Sequence, residues 1–274
     1  MKIEKLLISA DGHEGWLTCY LRDEIQCQKG RKRPAIIICP GGSYQLCSDR
    51  EGEPVAMQFL AMGYHGFVLE YSVAPACFPT ALKQLALAVA KIREKAEKWS
   101  IDPEKIVVCG FSAGGHLAAS LGVFWNQEWL YQSLEKEKSD IQPDRLILCY
   151  PVITAGEYCH PGSFKNLLGR NENIEEKRNM VSLENHVGPH VPPVFMWHTD
   201  KDGTVPAENS LLFVMALRRA GVSIEYHLFP EGGHGLSLAA RDSAKDPVPG
   251  KNYIVPCCQQ WIPLVRLWME GLES

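Results

Sequence analysis

Short, densely apolar runs alternate along the chain with stretches whose apolar positions recur every three to four residues. Runs of the first kind suit strands buried on both faces; the second kind suits helices that lay one apolar side on a sheet. Residues 35–39, 66–71, 106–109, 145–150, 194–198 and 223–229 read as such strands, and 3–9 with 16–21 as an opening antiparallel pair. Thr80 reads as the cap of a helix running to Trp99, with Leu82, Leu85, Val89, Ile92 and Ala96 along its apolar side. Further helices are expected over 113–124, 206–220 and 255–270, the last kinked or late-starting because it holds Pro256 and Pro263. Ile101-Asp102-Pro103-Glu104 reads as a turn. The alternation predicts an α/β class: a mostly parallel central sheet with helices on both faces. Only the polar, Gly/Pro/Asn-rich stretch 154–193 interrupts it, and this is expected as a cap or lid insertion with one short helix near 172–180.

The chain has 274 residues, 46% of them hydrophobic and 22% charged, which suits one domain over 1–274 and excludes disordered and fibrous classes. Twenty-eight basic against 32 acidic side chains leave a net charge of −4, so nothing draws the protein to nucleic acid. The opening residues hold no apolar run long enough for a leader or a membrane span, and the reading is a cytoplasmic protein without a membrane partner. Several of the ten cysteines (Cys39, Cys109, Cys149) end apolar runs, where a thiol packs as a small hydrophobe; Cys257-Cys258 reads as a reduced vicinal pair. The basic run 29–33 reads as a solvated connection before a strand. No metal-ligand spacing such as H-E-x-x-H occurs, so neither a metal nor another cofactor is expected.

Chemistry concentrates at Gly110-Phe111-Ser112-Ala113-Gly114, a G-x-S-x-G at the end of an apolar run and the start of a helical one. A serine on so tight a turn needs small neighbours, and the backbone N–H of Ala113 then opens a helix towards a developing oxyanion. A serine hydroxyl attacks only when a base takes its proton, and that base needs a carboxylate to fix its tautomer. Among nine histidines, His234 lies in Gly232-Gly233-His234-Gly235 just after a strand, with freedom to reach the serine. His116 goes with the helix and reads as a packing residue, while His13, His65, His160, His186, His190 and His227 lack a chemical neighbourhood. Asp200 and Asp202 compete as the acid; the spacing H-x-x-x-D-x-x-V-P from His198 to Pro206 favours Asp202. Cys39-Pro40-Gly41-Gly42-Ser43 follows an earlier strand, which makes the amides of Gly42 and Ser43 the oxyanion donors to set beside Ala113.

These stretches, with Glu70–Pro75, Ile101–Ile106 and Phe229–Gly235, resemble the α/β-hydrolases of the acetyl esterase and acetyl-xylan esterase group, close to feruloyl-esterase-like and hormone-sensitive-lipase-like enzymes, over about residues 35 to 240. The order Ser112, Asp202, His234 is that of the α/β-hydrolases. Where related lipase-like enzymes carry H-G-G-G, this chain has Pro40-Gly41-Gly42-Ser43, which leaves the loop donor open between Gly42 and Ser43. The resemblance implies a serine esterase acting on small carboxylic esters, acetylated sugars foremost, and is compatible with a homo-oligomer. The rival readings are an amidase or peptidase on the same machinery, formamidase-like, and a non-catalytic binding protein on a hydrolase scaffold.

Overall fold

In the computed structural model, which describes residues 1–246, 249–250 and 252–271, eight strands form one sheet. They are β1 (Lys2–Ala10), β2 (His13–Leu21), β3 (Arg33–Cys39), β4 (His65–Glu70), β5 (Ile101–Phe111), β6 (Arg145–Cys149), β7 (Val194–Thr199) and β8 (Ile224–Phe229). Their order is β1-β2-β4-β3-β5-β6-β7-β8, antiparallel across β1/β2 and β2/β4 and parallel elsewhere. Side chains alternate between the two faces of a strand, and here both faces are covered. Ile36, Ile38, Val107, Cys109, Ile147 and Trp197 pack under the helices Glu53–Ala61 and Trp261–Gly271. Ala35, Ile37, Val108, Leu146, Leu148 and Met196 pack under Thr80–Glu94, Ala113–Phe124 and Glu208–Arg219. This double burial is why the parallel strands carry continuous apolar runs in the sequence.

Three expectations change. Residues 101–104 belong to β5: Ile101 pairs with Arg33 and Ile106 with Ala35, so residues 102–105 bulge opposite Pro34, which has no N–H for the ladder. Thr80 is the first helical residue, and its hydroxyl donates to Asp11 Oδ2 at 3.2 Å instead of capping the helix, which ends at Glu94 before a separate turn Ala96–Trp99. The stretch 154–193 carries two helices, Pro161–Leu168 and Glu175–Met180. The first buries only Phe164, Leu167 and Leu168 among its apolar residues, too few turns to write a readable period. At the C-terminal side, Pro256 opens the short helix Pro256–Gln259 and Pro263 lies in the first turn of Trp261–Gly271, where proline is tolerated. Cys257 and Cys258 keep their sulfurs 4.0 Å apart, unbonded. Among the described residues no helix is long and apolar enough to cross a membrane.

Arg93, on the Thr80–Glu94 helix, ties that helix to the entry of two strands: its guanidinium donates to the carbonyls of Pro103 (3.1 Å), Asp140 (2.6 Å) and Gln142 (2.9 Å) and faces Asp144 Oδ2 at 3.4 Å. Arg93→Met takes the guanidinium from the three carbonyls and the cation from Asp144, which keeps only the Ile106 N–H at 2.8 Å, and is expected to lower stability by about 2–4 kcal/mol, read as a lower urea midpoint at unchanged slope.

Candidate active site

β5 ends at Phe111 and the next helix begins at Ala113, so the whole reversal falls on Ser112. Its backbone sits at φ 52°, ψ −117°, a region L-residues avoid. Neighbouring backbone over-determines that conformation: Ser112 N–H donates to Cys149 O (3.0 Å), and Ser112 O accepts from His116 N–H (3.0 Å) and Val152 N–H (3.1 Å). The turn is crowded enough that a Cβ on Gly114 would run into the carbonyls of Cys39 and Pro40, and one on Gly110 into that of Gly114. The two motif glycines are thus a condition of the fold as well as of the site.

The three residues singled out by spacing meet in one hydrogen-bonded line. Ser112 Oγ lies 2.7 Å from His234 Nε2, and His234 Nδ1 lies 2.6 Å from Asp202 Oδ2. Asp202 Oδ1 accepts the N–H groups of Thr204 (2.9 Å) and Val205 (3.0 Å), which aims the other oxygen at the imidazole. Burial alone would raise the Asp202 pKa, but hydrogen bonds from His198 and His234 outweigh it and hold the carboxyl well below the usual carboxylate range. Facing an ionised acceptor, Nδ1 of His234 must carry the hydrogen, which leaves Nε2 as the acceptor of the serine proton. The Asp200 side chain is exposed and hydrogen-bonds to no described residue; its N–H donates to Phe229 O at 2.8 Å.

His198 is a contact that sequence reading missed, although it opens the H-x-x-x-D pattern. Fully buried, it points Nε2 at both Asp202 Oδ2 (3.2 Å) and Val205 O (3.0 Å), and its Nδ1 meets Ser210 Oγ at 2.7 Å. Since both partners of Nε2 only accept, Nε2 carries the hydrogen and Ser210 donates to Nδ1.

The loop after β3 closes on the serine. A Cβ on Gly41 would stand 3.0 Å from that of Ser112 and 2.8 Å from Phe111 O, so this position admits only glycine. Gly41 N–H is spent on Glu51 Oε2 at 2.8 Å, whereas the amides of Gly42, Ser43 and Ala113 donate to no group among the described residues. Glu51 is buried, and its other oxygen accepts from Tyr150 O–H (2.8 Å), whose oxygen in turn accepts Ser237 N–H (2.7 Å). The Tyr150 ring meets the His234 ring edge-on at 5.1 Å. Arg50 donates to Gly235 O at 3.1 Å and Ser243 O at 2.6 Å. One buried carboxylate and one guanidinium thus brace both the loop after β3 and the loop that carries His234.

His116 holds the same loop from its other side, in keeping with a packing role: Nε2 donates to Val181 O (2.9 Å), so Nδ1 accepts from Tyr44 O–H (2.8 Å). Burial drives its pKa down to about 4 and keeps it neutral. Asn166 of the Pro161–Leu168 helix donates to Ser43 O at 2.9 Å, which draws the 154–193 stretch onto the loop. Among the described residues no three His, Cys, Asp or Glu side chains converge to hold a metal ion.

Comparison with known proteins matches this geometry to a family. The sequence profile of the BD-FAE family matches residues 24–217. The chain is 40% identical over 214 residues to endo-1,4-beta-xylanase B of Butyrivibrio fibrisolvens, a stretch that covers 76% of this chain and 33% of that protein, so the chain spans about a third of the relative's length. Among solved structures it is similar to the acetyl ester-xyloside bifunctional hydrolase of Caldicellulosiruptor lactoaceticus, with 36% identity and a TM-score of 0.80 over 96% of this chain and 90% of that one. It is also similar to the carboxylesterase Cest-2923 of Lactobacillus plantarum WCFS1, with 32% identity and a TM-score of 0.88 over 100% of this chain and 98% of that one. The sheet order, the turn at Ser112 and these likenesses lead to one conclusion: the chain belongs to the BD-FAE family and has the α/β-hydrolase fold.

Proposed function

We propose that the protein is a serine esterase that hydrolyses short-chain carboxylic esters, acetyl groups on carbohydrates foremost, through an acyl-enzyme on Ser112. The observation that carries this reading is the unbroken line from Ser112 Oγ through His234 to an ionised Asp202. As Ser112 Oγ attacks the acyl carbon, His234 Nε2 takes its proton, and Asp202 stabilises the imidazolium that forms. The carbonyl oxygen, now negative, is received by Ala113 N–H together with Gly42 or Ser43 N–H, amides that no group among the described residues claims. His234 then protonates the leaving alcohol, and water repeats the sequence to release the acid. The relative described as an acetyl ester-xyloside hydrolase supports acetylated sugars as the substrate class. In this reading the Pro161–Leu168 helix, tied to the donor loop through Asn166 and Ser43 O, is the element that limits the acyl group.

Ser112→Ala is expected to lower kcat by about 10³-fold or more while leaving the circular dichroism spectrum unchanged. A fluorophosphonate should modify Ser112 alone, as peptide mass spectrometry would show.

Asp202→Asn should lower kcat by about 10⁴-fold, the cost of a wrong tautomer, whereas Asp200→Asn should leave it within about twofold. The depressed Asp202 pKa also stabilises the folded state above the unfolded carboxyl's pKa of about 3.9, and this contribution fades as pH falls below it. The stability gap between wild type and Asp202→Asn should therefore narrow from pH 5 to pH 2, measured by thermal unfolding.

With p-nitrophenyl esters, kcat/KM should fall from acetyl and propionyl to octanoyl, because each added methylene needs apolar room worth about 0.8 kcal/mol. Acetylated xylo-oligosaccharides should release acetate, while N-formylkynurenine, a substrate suited to an amidase, should remain intact by chromatography.

A further inference from the structure

A cavity lies at the opposite end of the sheet from Ser112. Arg33 opens β3 and pairs with Ile101 at the start of β5, whereas Ser112 follows the far end of β5. Eleven strand residues separate the two places, on the order of 30 Å at about 3.3 Å per residue. The cavity holds about 520 Å³ and is walled in part by Arg22, Arg31, Arg33, Tyr64 and Met269.

Arg22, Arg31 and Arg33 gather there, and none of the three forms an ion pair among the described residues. Arg33 is buried, at 8% exposure, yet among the described residues its side chain makes only a 3.4 Å hydrogen bond to Gly63 O. Arg22 donates to Leu60 O at 2.8 Å, and its Nη1 and that of Arg33 lie 3.7 and 4.0 Å from a single point, the Cβ position of Gly63. Among the described residues no carboxylate pairs with Arg22, Arg31 or Arg33. Of the described acids on the wall, Glu270 pairs with Arg266 at 2.9 Å, and Asp102 accepts Glu104 N–H at 3.2 Å and forms no ion pair with the arginines. Lys32, also on the wall, pairs outward with Glu97 at 3.2 Å. Burial, and then the fields of Arg22 and Arg31, pull the Arg33 pKa down, while burial with the fields of Arg33 and Arg22 brings neighbouring His65 to about 4.

A buried cation crowded by like charges destabilises the fold unless an anion meets it. Arginine presents planar, paired donors that match the oxygens of a phosphate group. Three such forks around one space suit a dianion better than a single carboxylate. The volume admits a small molecule, and a net charge of −4 gives no attraction for a polyanion. We infer that this cavity binds a phosphate group, as inorganic phosphate or as a small phosphomonoester of the size of a phosphorylated sugar.

Calorimetric melting of the whole protein with 10 mM sodium phosphate, against sodium chloride at matched ionic strength, tests the site. Wild type should gain about 2–4 °C in phosphate, and Arg22→Met and Arg31→Met should each lose most of that gain. Arg31 is exposed, so Arg31→Met keeps the test valid even if a change at Arg22 or Arg33 disturbs folding. Titration calorimetry with inorganic phosphate and with glucose 6-phosphate then separates the sources. Tighter binding of the ester assigns the site to a phosphorylated metabolite, and equal binding assigns it to free phosphate. No gain in wild type, an equal gain in both variants, or no saturable heat from either ligand overturns the inference.

Discussion

Everything at the site depends on one residue being held where the backbone resists going. Ser112 must reverse the chain between a buried strand and a buried helix, and at φ 52° it does so against its own side chain. The restraint comes from β6 and the chain just after it, through Cys149 O and Val152 N–H, joined by His116 N–H of the helix that follows the turn. Local sequence permits the turn by supplying glycines, and the neighbouring strand enforces it. That division explains why a G-x-S-x-G in a loop would do nothing: without the parallel neighbour, the serine relaxes.

The second constraint is burial of charge. Asp202 and Glu51 are both acids removed from water, and each is satisfied by donors from elements far apart in sequence. Such groups cost several kcal/mol when a partner is lost, so they lock the elements they join. Asp202 fixes His234 and His198 relative to the turn after β7. Glu51, through Gly41 and Tyr150, fixes the loop after β3 relative to the turn Ser237–Ala239, and Arg50 reaches the same region through Gly235. The three loops at this end of the sheet are consequently positioned by buried polar bonds, and the apolar layers below supply the rigid base.

At the other end of the strands the balance differs. Arg33 is buried and Arg22 half-buried at the turn around Gly63, and among the described residues neither forms an ion pair. The buried acids near Ser112 are met by hydrogen-bond donors, whereas these arginines meet only backbone carbonyls, a contrast invisible in the net charge.

The sequence alone marked most of the strands, the main helices and the three side chains that the structure brings into line, because each leaves a local mark. Buried parallel strands write continuous apolar runs, Ser112 stands between two glycines at the close of one, and His234 and Asp202 each follow a strand with turn residues about them. Tertiary structure decided what depends on distant partners. Nothing in the sequence singles out Glu51 until Tyr150, 99 residues away, is brought to it. Tyr44 and His116 meet across 72 residues, and the contact of His198 with Asp202 requires the turn between them to fold back. The Pro161–Leu168 helix was illegible because eight residues with three buried apolar side chains hold too little period, and only packing against the loop at Ser43 defines it. Local preference names the groups that can act; the long-range hydrogen bonds that satisfy them once water is excluded settle which ones meet.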